Sequence, residues 1–416
     1  MFKAVNVLQA AIILVLAGCA SAPNVATSQA QGSQTRTQEQ AANSPTAQNK
    51  STSQPDQESE TTKKTVTLAQ VSPRAAAAPA IQAGSSVNQA KGFTDANGQL
   101  LPDIQAYARE VSQTRNVPLN HVTQLLRTAH YNPKVARLMT PSGGRIKRSW
   151  VTYRKRYVEP VRINQGIAFW QEHQALLNQT ASQYGVPVSV IVAIIGVETL
   201  YGRYTGSFAV LDALATLGFR NPDPNRPERS QLFRDQLADL IELDWKNELD
   251  ALNATGSFAG AMGLPQFMPG SLRRFAADGD RDNEIDLHGS VADAVASVAR
   301  FLRLHGWEPG LPVFAPVTVP ANAAKWVDGG LKPTLSWPEL QQAGFQARPG
   351  HANDAWTRYR LGVIDLLDEP RNLAEYRVAT PNFFALTEYN RSYFYATSVA
   401  ELANILADRM GYGRAF

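Results

Sequence analysis

The feature that most restricts this chain is the run "VSVIVAIIGV", residues 188–197, which ends at Glu198. A helix that is apolar nearly all round has no face for solvent, so it must lie in the middle of a core built by other elements. Six of the seven residues before Glu198 are Ile, Val or Ala, and Thr, Leu, Tyr and Gly follow it. In apolar surroundings the ionised form of a carboxyl group is disfavoured and its pKa rises. That keeps the acid protonated near neutral pH and able to donate a proton. Glu198 therefore reads either as a general acid or as an acid at an exposed helix end, paired with Arg203.

Apolar spacing of three and four in "LPDIQAYAREVSQ" and "PLNHVTQLLRTA" predicts helices from Leu100 onward. A second block, "RINQGIAFWQEHQALLNQTASQYG", stops at Gly185, and Pro187 opens the central helix. Further helices read through "RSQLFRDQLADLIELDW", "SVADAVASVARFLRLHGW" and the closing "TSVAELANILADRMG". Between about 312 and 370 the pattern changes to Pro, Gly and runs such as "PVFAPVTV" and "TRYRLGVIDLL", which predicts a small β-containing insertion.

The first residues are different material. From Ser21 to about Gln89 the chain is mostly Ala, Gln, Ser, Thr and Pro, with no aromatic residue. Such a segment cannot bury enough apolar surface to offset its chain entropy, and it reads as a flexible tether over 19–95. Residues 1–18 have one Lys near the start and an apolar stretch from Val7 to Ala17, too short for a permanent span, as in a signal peptide. They end in "LAGC", which resembles a lipobox, with Cys19 as the lipidated residue; an ordinary signal peptide with an incidental Cys is the other reading. Cys19 is the only cysteine, so no intrachain disulfide is available. The net charge of +4 favours an anionic partner. No run of Lys and Arg interleaved with aromatics suggests a nucleic-acid groove.

Three more stretches within 96–416 carry chemistry. In "GSFAGAMGLPQFMPGS", residues 256–271, small residues allow close backbone approach, while Ser257, Gln266, Phe267 and Met268 offer the mixture of hydrogen bonds and apolar face that carbohydrate sites use. The same stretch also reads as a tight turn packed on the core. In "DGDRDNEIDL", Asp278, Asp280 and Asp282 occupy alternating positions of an EF-hand-like loop, with Glu284 placed to give a backbone carbonyl. Asn283 stands where Gly is usual, the twelfth position is Gly289, and Asp293 is a later carboxylate; a solvated acidic turn is the alternative. The last stretch, "NFFALTEYNRSYFYATSVAEL", is dense in Tyr, Phe and Asn, which suits either sugar stacking or core packing.

Together these stretches resemble the membrane-bound lytic transglycosylase B family (glycoside hydrolase family 103). The likeness starts at "WVTYRKRYVEPVRINQGIAFW", residues 150–170, against the family's "YR.RF..P.RI..G..FW", and continues through "VETLYGRYTG", "DALATLGF", the two site loops and "YNRS", covering about residues 100 to 416. The resemblance implies a mainly α fold: a lysozyme-like helical core with a helical N-terminal part and the small β-containing insertion. It implies cleavage of the β-1,4 bond between N-acetylmuramic acid and N-acetylglucosamine without water, leaving 1,6-anhydromuramyl ends, with Glu198 as acid and then base. Ser257 would position an N-acetyl group, Gln266 would lie beside the acid, and Phe267, Met268, Phe301, Tyr389, Asn390 and Tyr395 would line the sugar subsites. Arg229 matches one of the family's paired arginines. Glu228 stands at the other position, after an insertion-like "NPDPN".

By the same resemblance catalysis needs no cofactor, and the acidic loop holds a structural calcium through Asp278, Asp280, Asp282, Glu284 and Asp293. Asp293 comes one residue later than the family spacing. The partners implied are peptidoglycan glycan strands, the membrane through a lipid on Cys19, and cell-wall enzyme complexes, on the periplasmic side of a Gram-negative outer membrane. Two rival readings remain at this point: a hydrolytic muramidase, which needs a second carboxylate across the sugar, and a catalytically silent wall-binding lipoprotein.

Overall fold

The structure is a computed structural model that describes residues 92–141, 144, 147–223 and 225–413. The expected leader, Cys19 and nearly all of the expected tether lie outside the described residues. Packing starts at Phe93, a few residues inside the expected tether. Its ring is buried and meets Phe219 edge-on at 6.0 Å, and Thr94 bridges to Leu100. An aromatic ring with a partner supplies the burial that the preceding sequence lacks.

Helices dominate the described residues. The N-terminal part is α1 (Pro102–Arg115), α2 (Leu119–Thr128) and α3 (Pro133–Met139). Then come α4 (Trp150–Tyr157), α5 (Pro160–Glu172), α6 (Gln174–Tyr184) and α7 (Val188–Thr199). After α8 (Val210–Phe219) and α9 (Pro227–Trp245) follow α10 (Pro269–Phe275) and α11 (Val291–Leu304), then α12 (Trp337–Gln342), α13 (Pro381–Tyr389) and α14 (Tyr393–Arg409). The boundaries follow local chemistry. Gly185 ends α6 in the left-handed conformation, φ 66°, and Pro187 precedes α7; the Glu159 carboxylate caps α5, and Ser392 caps α14.

Helix α7 is the axis that its sequence demands. Every residue in it is buried except Glu198, and it packs against α14, α5, α6 and α11. The N-terminal helices cover the α8–α9 pair instead. Among the described residues no single helix is long and apolar enough to cross a membrane.

Strands are few. Strand β1 (Phe208–Ala209) pairs antiparallel with β2 (Thr255–Gly256), β3 (Val317–Thr318) with β4 (Gln346–Ala347), and β5 (Gly362–Asp368) with β6 (Leu373–Ala379). The hairpin runs past the expected end of the insertion near 370, because β6 is "LAEYRVA", whose charged, exposed first half hides the strand pattern. Residues 311–378 build a second, smaller core around Trp337, Phe345 and Trp356. Strand alternation joins the two cores: Val363 points into the small one, and Ile364 and Leu366 into the main one.

Candidate active site

Glu198 sits on the last turn of α7. Leu200 and Tyr201, at φ 52° and 58°, then Gly202 at φ 87°, carry the chain away through three successive left-handed residues. For two non-glycine residues this is a strained turn, which only surrounding structure can maintain. Thr199 helps to hold it. Its hydroxyl lies 3.1 Å from the Ile195 carbonyl and 3.2 Å from that of Leu264, and accepts the Gly202 N–H at 3.0 Å. The end of the acid's helix is thereby tied to the 257–268 loop.

Burial raises the Glu198 carboxyl to about 7, partly offset by a 2.6 Å hydrogen bond that Tyr395 Oη donates to its Oε1. Arg203 takes no part: it is exposed, with its guanidinium over the Tyr204 ring. The carboxyl is ringed by phenols. Tyr389 stacks near-parallel on Tyr395, with centroids 6.3 Å apart, and donates its hydroxyl to the Pro265 carbonyl at 2.6 Å. Tyr153 and Tyr157, one turn apart on α4, also feel the Glu198 charge; both are pushed up, chiefly by burial. These two were missed in the sequence. Their spacing of four places them on one face of α4, but only the packing of Tyr153 on Phe394 of α14, at 5.5 Å, turns that face toward the acid.

The 256–268 loop is held shape-first. Ser257 is buried; its Oγ accepts the Ala261 N–H at 3.0 Å, which leaves the hydroxyl proton free to donate. Gln266 adopts φ 53° and donates from Nε2 to the Thr205 and Gly263 carbonyls. Phe267 is buried against Phe301 and Tyr389, and Met268 is half-buried at the edge of the same cluster. Phe301, on α11, is buried and stacked on His305 at 3.9 Å. Asn390 follows the last residue of α13, and its buried Oδ1 has no hydrogen-bond partner among the described residues. Phe383 and Phe384 of the same stretch are core residues.

Arg229 stands apart. It lies at the start of α9 with its guanidinium 3.9 Å from Asp223, while Glu228 accepts from Arg226 at 2.8 Å. The inserted segment thus supplies a carboxylate to the remaining arginine.

The acidic loop adjoins the site. Leu264 N–H donates to the Leu287 carbonyl at 2.8 Å, and Gly263 N–H to His288 Nε2 at 3.1 Å. A Cβ on Gly263, at φ 69°, would collide with the Leu287 carbonyl, so this joint requires glycine. Asp278, Asp280 and Asp282 bring carboxylate oxygens within 4.8 Å of one another, a donor set that suits a hard cation. Asn283 takes the left-handed conformation, φ 73°. Glu284 is exposed, and its N–H donates to Asp282. Asp293 is separate from the trio: it is 1% exposed, and its two oxygens accept the Gly279 and Asp286 N–H groups at 2.7 and 2.8 Å, closing the loop on itself.

The chain is similar to known proteins. The family described as "Transglycosylase SLT domain" matches residues 100–404. Membrane-bound lytic murein transglycosylase B of Escherichia coli (strain K12) is 34% identical over 320 residues, 74% of this chain and 83% of that protein. Three solved structures are similar. Catenated lytic transglycosylase SltB1 from Pseudomonas aeruginosa has a TM-score of 0.66 and 35% identity, covering 74% of this chain and 98% of that one. Escherichia coli lytic transglycosylase Slt35 in complex with calcium gives 0.63 and 32%, covering 76% and 96%. SltB3 from Pseudomonas aeruginosa in complex with NAG-NAM-pentapeptide gives 0.61 and 28%, covering 73% and 78%.

Proposed function

The chain belongs to the lytic murein transglycosylases of the SLT domain family, and from that premise we propose that Glu198 alone carries both proton transfers of a water-free cleavage of peptidoglycan. The family and the lysozyme-like, mainly helical fold expected from the motifs are borne out, and the enzyme is a peptidoglycan-degrading lyase whose chemistry needs no cofactor. The observation that carries the single-acid reading is the setting of Glu198. Burial raises its carboxyl to about 7, and its hydrogen-bond partner is a phenol, not a second carboxylate. Asp212, the nearest rival in sequence, accepts the His130 N–H at 2.7 Å and serves that joint.

Glu198 first protonates the glycosidic oxygen, and the C1–O bond breaks as the leaving sugar departs with its hydroxyl restored. The muramyl N-acetyl oxygen, held by a hydrogen bond from Ser257, supports the electron-poor C1, as in substrate-assisted glycosidases. The Glu198 carboxylate, stabilised by the Tyr395 phenol, then takes the proton of the sugar's own C6 hydroxyl as that oxygen closes on C1. Phe267, Met268, Phe301, Tyr389 and Asn390 line the subsites. The product is a 1,6-anhydromuramyl end, one water lighter than a hydrolytic product. Mass spectrometry of digested peptidoglycan distinguishes the two, and a predominance of reducing muramic acid ends would replace this reading with the muramidase.

Asp278, Asp280 and Asp282, with the Glu284 carbonyl, form the cage for a structural calcium, and Asp293, a fifth member by the resemblance, also accepts the Gly279 and Asp286 N–H groups of the loop. Residues 1–18 are the leader, 19 to about 91 the tether, and the catalytic region starts by Phe93, a little before the expected residue 96. A lipid on Cys19 anchors the enzyme on the periplasmic side of the outer membrane, where it meets glycan strands and other wall enzymes. Cys19→Ala should shift the protein from the membrane pellet to the soluble fraction; a variant that stays in the pellet counts against the lipid.

A further inference from the structure

Arg162 is the buried cation nearest the catalytic helix, and the mechanism above does not use it. It is 4% exposed, on the first turn of α5. Its Nε donates to the Gly196 carbonyl at 2.8 Å, two residues before Glu198, although that carbonyl already accepts the Leu200 N–H at 3.1 Å. Its Nη1 donates to the Arg156 and Tyr157 carbonyls at 2.7 and 3.2 Å and lies 3.5 Å from Glu159 Oε1. The guanidinium also lies over the Tyr157 ring, 5.3 Å from its centroid. One planar group therefore closes the α4–α5 corner and binds that corner to the last turn of α7.

One turn further along α5, Gly166 completes the grip. The Tyr201 side chain, thrown back by the left-handed turn after Glu198, fits between Gly166 and Gly196, and a Cβ on either glycine would strike its hydroxyl. That hydroxyl is buried and has no hydrogen-bond partner among the described residues. A buried charge and an unpaired buried hydroxyl are costly ways to gain stability, because well-packed apolar residues of similar volume commonly do as well or better. They make sense as devices that fix one geometry.

We propose that Arg162 is a positioning residue for the reaction, gripping the last turn of α7 together with the Tyr201 wedge so that the Glu198 carboxyl stays against Tyr395 and the α4 phenols stay beside it. This inference rests on Glu198 being the acid. The titratable groups that face Glu198 are Tyr153 and Tyr157 from α4, Tyr389 from α13 and Tyr395 from α14, and Arg162 acts on it through the backbone. If the grip loosens, the carboxyl turns out of line and water reaches it. The consequences are a slower chemical step and an acid that gives up its proton at lower pH.

The test compares the full-length enzyme with Arg162→Met, Arg162→Lys and Glu198→Gln on purified peptidoglycan. For Arg162→Met, kcat should fall by roughly ten- to hundredfold, the penalty for a misplaced catalytic group, with KM within about twofold. The alkaline limb of its kcat–pH profile should move down by about one pH unit. Arg162→Lys, whose ammonium reaches the Gly196 carbonyl but cannot also span the Arg156 and Tyr157 carbonyls, should fall between the two. A folded Arg162→Met with the wild-type kcat and pH limb overturns the proposal, as does failure of both Arg162 variants to fold, which would make the residue a stability element. If Glu198→Gln retains activity, the acid assignment fails instead, and the two failures are told apart by that variant alone.

Discussion

Two acidic regions lie side by side in this molecule and put the same functional group to opposite uses. Glu198 lies near the end of a mostly apolar helix, is the one residue of that helix that is not fully packed away, and is raised to about 7 by burial. Asp280 and Asp282 are exposed and Asp278 half-buried on a loop of tight turns, their oxygens within 4.8 Å of one another. One carboxyl is set apart in an apolar site, where burial suits it to donate a proton. The others are crowded in a wet one, where a cation is the natural way to relieve their mutual repulsion. Asp293 lies between these cases: burial and the charges of Asp280 and Asp278 push its carboxyl up, while two backbone N–H groups pull it down. Function here follows from the surroundings of the carboxyl, and the loop contacts through Leu287 and His288 hold the two surroundings together.

The largest expected effect comes from making Glu198 unable to ionise or donate. Glu198→Gln should lower turnover by about a hundred- to ten-thousandfold with folding intact. The same variant tests the dry site by stability. Because the folded pKa lies above the ordinary 4.5, the native state keeps a proton that the unfolded chain releases, so wild-type stability from this group is fully present below about 4.5 and is lost as pH rises through about 7. At pH 8 the loss is on the order of 3 kcal/mol, at about 1.4 kcal/mol per unit. The Gln variant should therefore melt above wild type at pH 8 and lose that advantage near pH 4. Equal melting temperatures at both pH values would mean that the site is wetter than its geometry indicates.

A middle-sized effect is expected from Tyr395→Phe. The phenol stabilises the ionised acid, so its loss should raise the Glu198 pKa further and move the alkaline limb of the rate profile upward. A hydrogen bond to a charged group is worth about 1.5–3 kcal/mol, so kcat should fall by about ten- to hundredfold, through the step in which Glu198 acts as a base. A rate profile that does not move would assign Tyr395 to sugar stacking only.

The smallest effect on turnover belongs to the acidic loop. Calcium at about a hundred times its Kd should stabilise the enzyme by about 2.7 kcal/mol, and Asp280→Ala with Asp282→Ala should abolish that increment while turnover stays within a few-fold. Thermal melts with and without calcium decide it. A calcium shift that survives the double substitution would remove these two residues from the cage.

Much of this was legible along the chain. The central helix announces itself because no amphipathic alternative exists for "VSVIVAIIGV", and an acid at its end has few bland explanations once Arg203 points away. The hairpin strand "LAEYRVA" was not legible, since its outer half is charged, and neither were the places of Tyr153 and Tyr157 beside the acid. Each of these depends on a partner far away in sequence: β5 for the strand, and Phe394 of α14 for Tyr153.

The sequence by itself determined the mainly helical class and the buried axis, because helical period and apolar content are properties of a short segment read alone; it marked Glu198 as a candidate acid, and the resemblance to the family gave that candidate its role. Only the tertiary structure decided which groups surround that acid and what holds it still. It brought four phenols from α4, α13 and α14 around one carboxyl, gave the Gly196 carbonyl a guanidinium from α5, and set the Asp293 carboxylate against the Gly279 and Asp286 N–H groups of the acidic loop. The physical reason is that burial and hydrogen-bond partnership belong to contacts across the fold, and no local pattern specifies who will supply the other half.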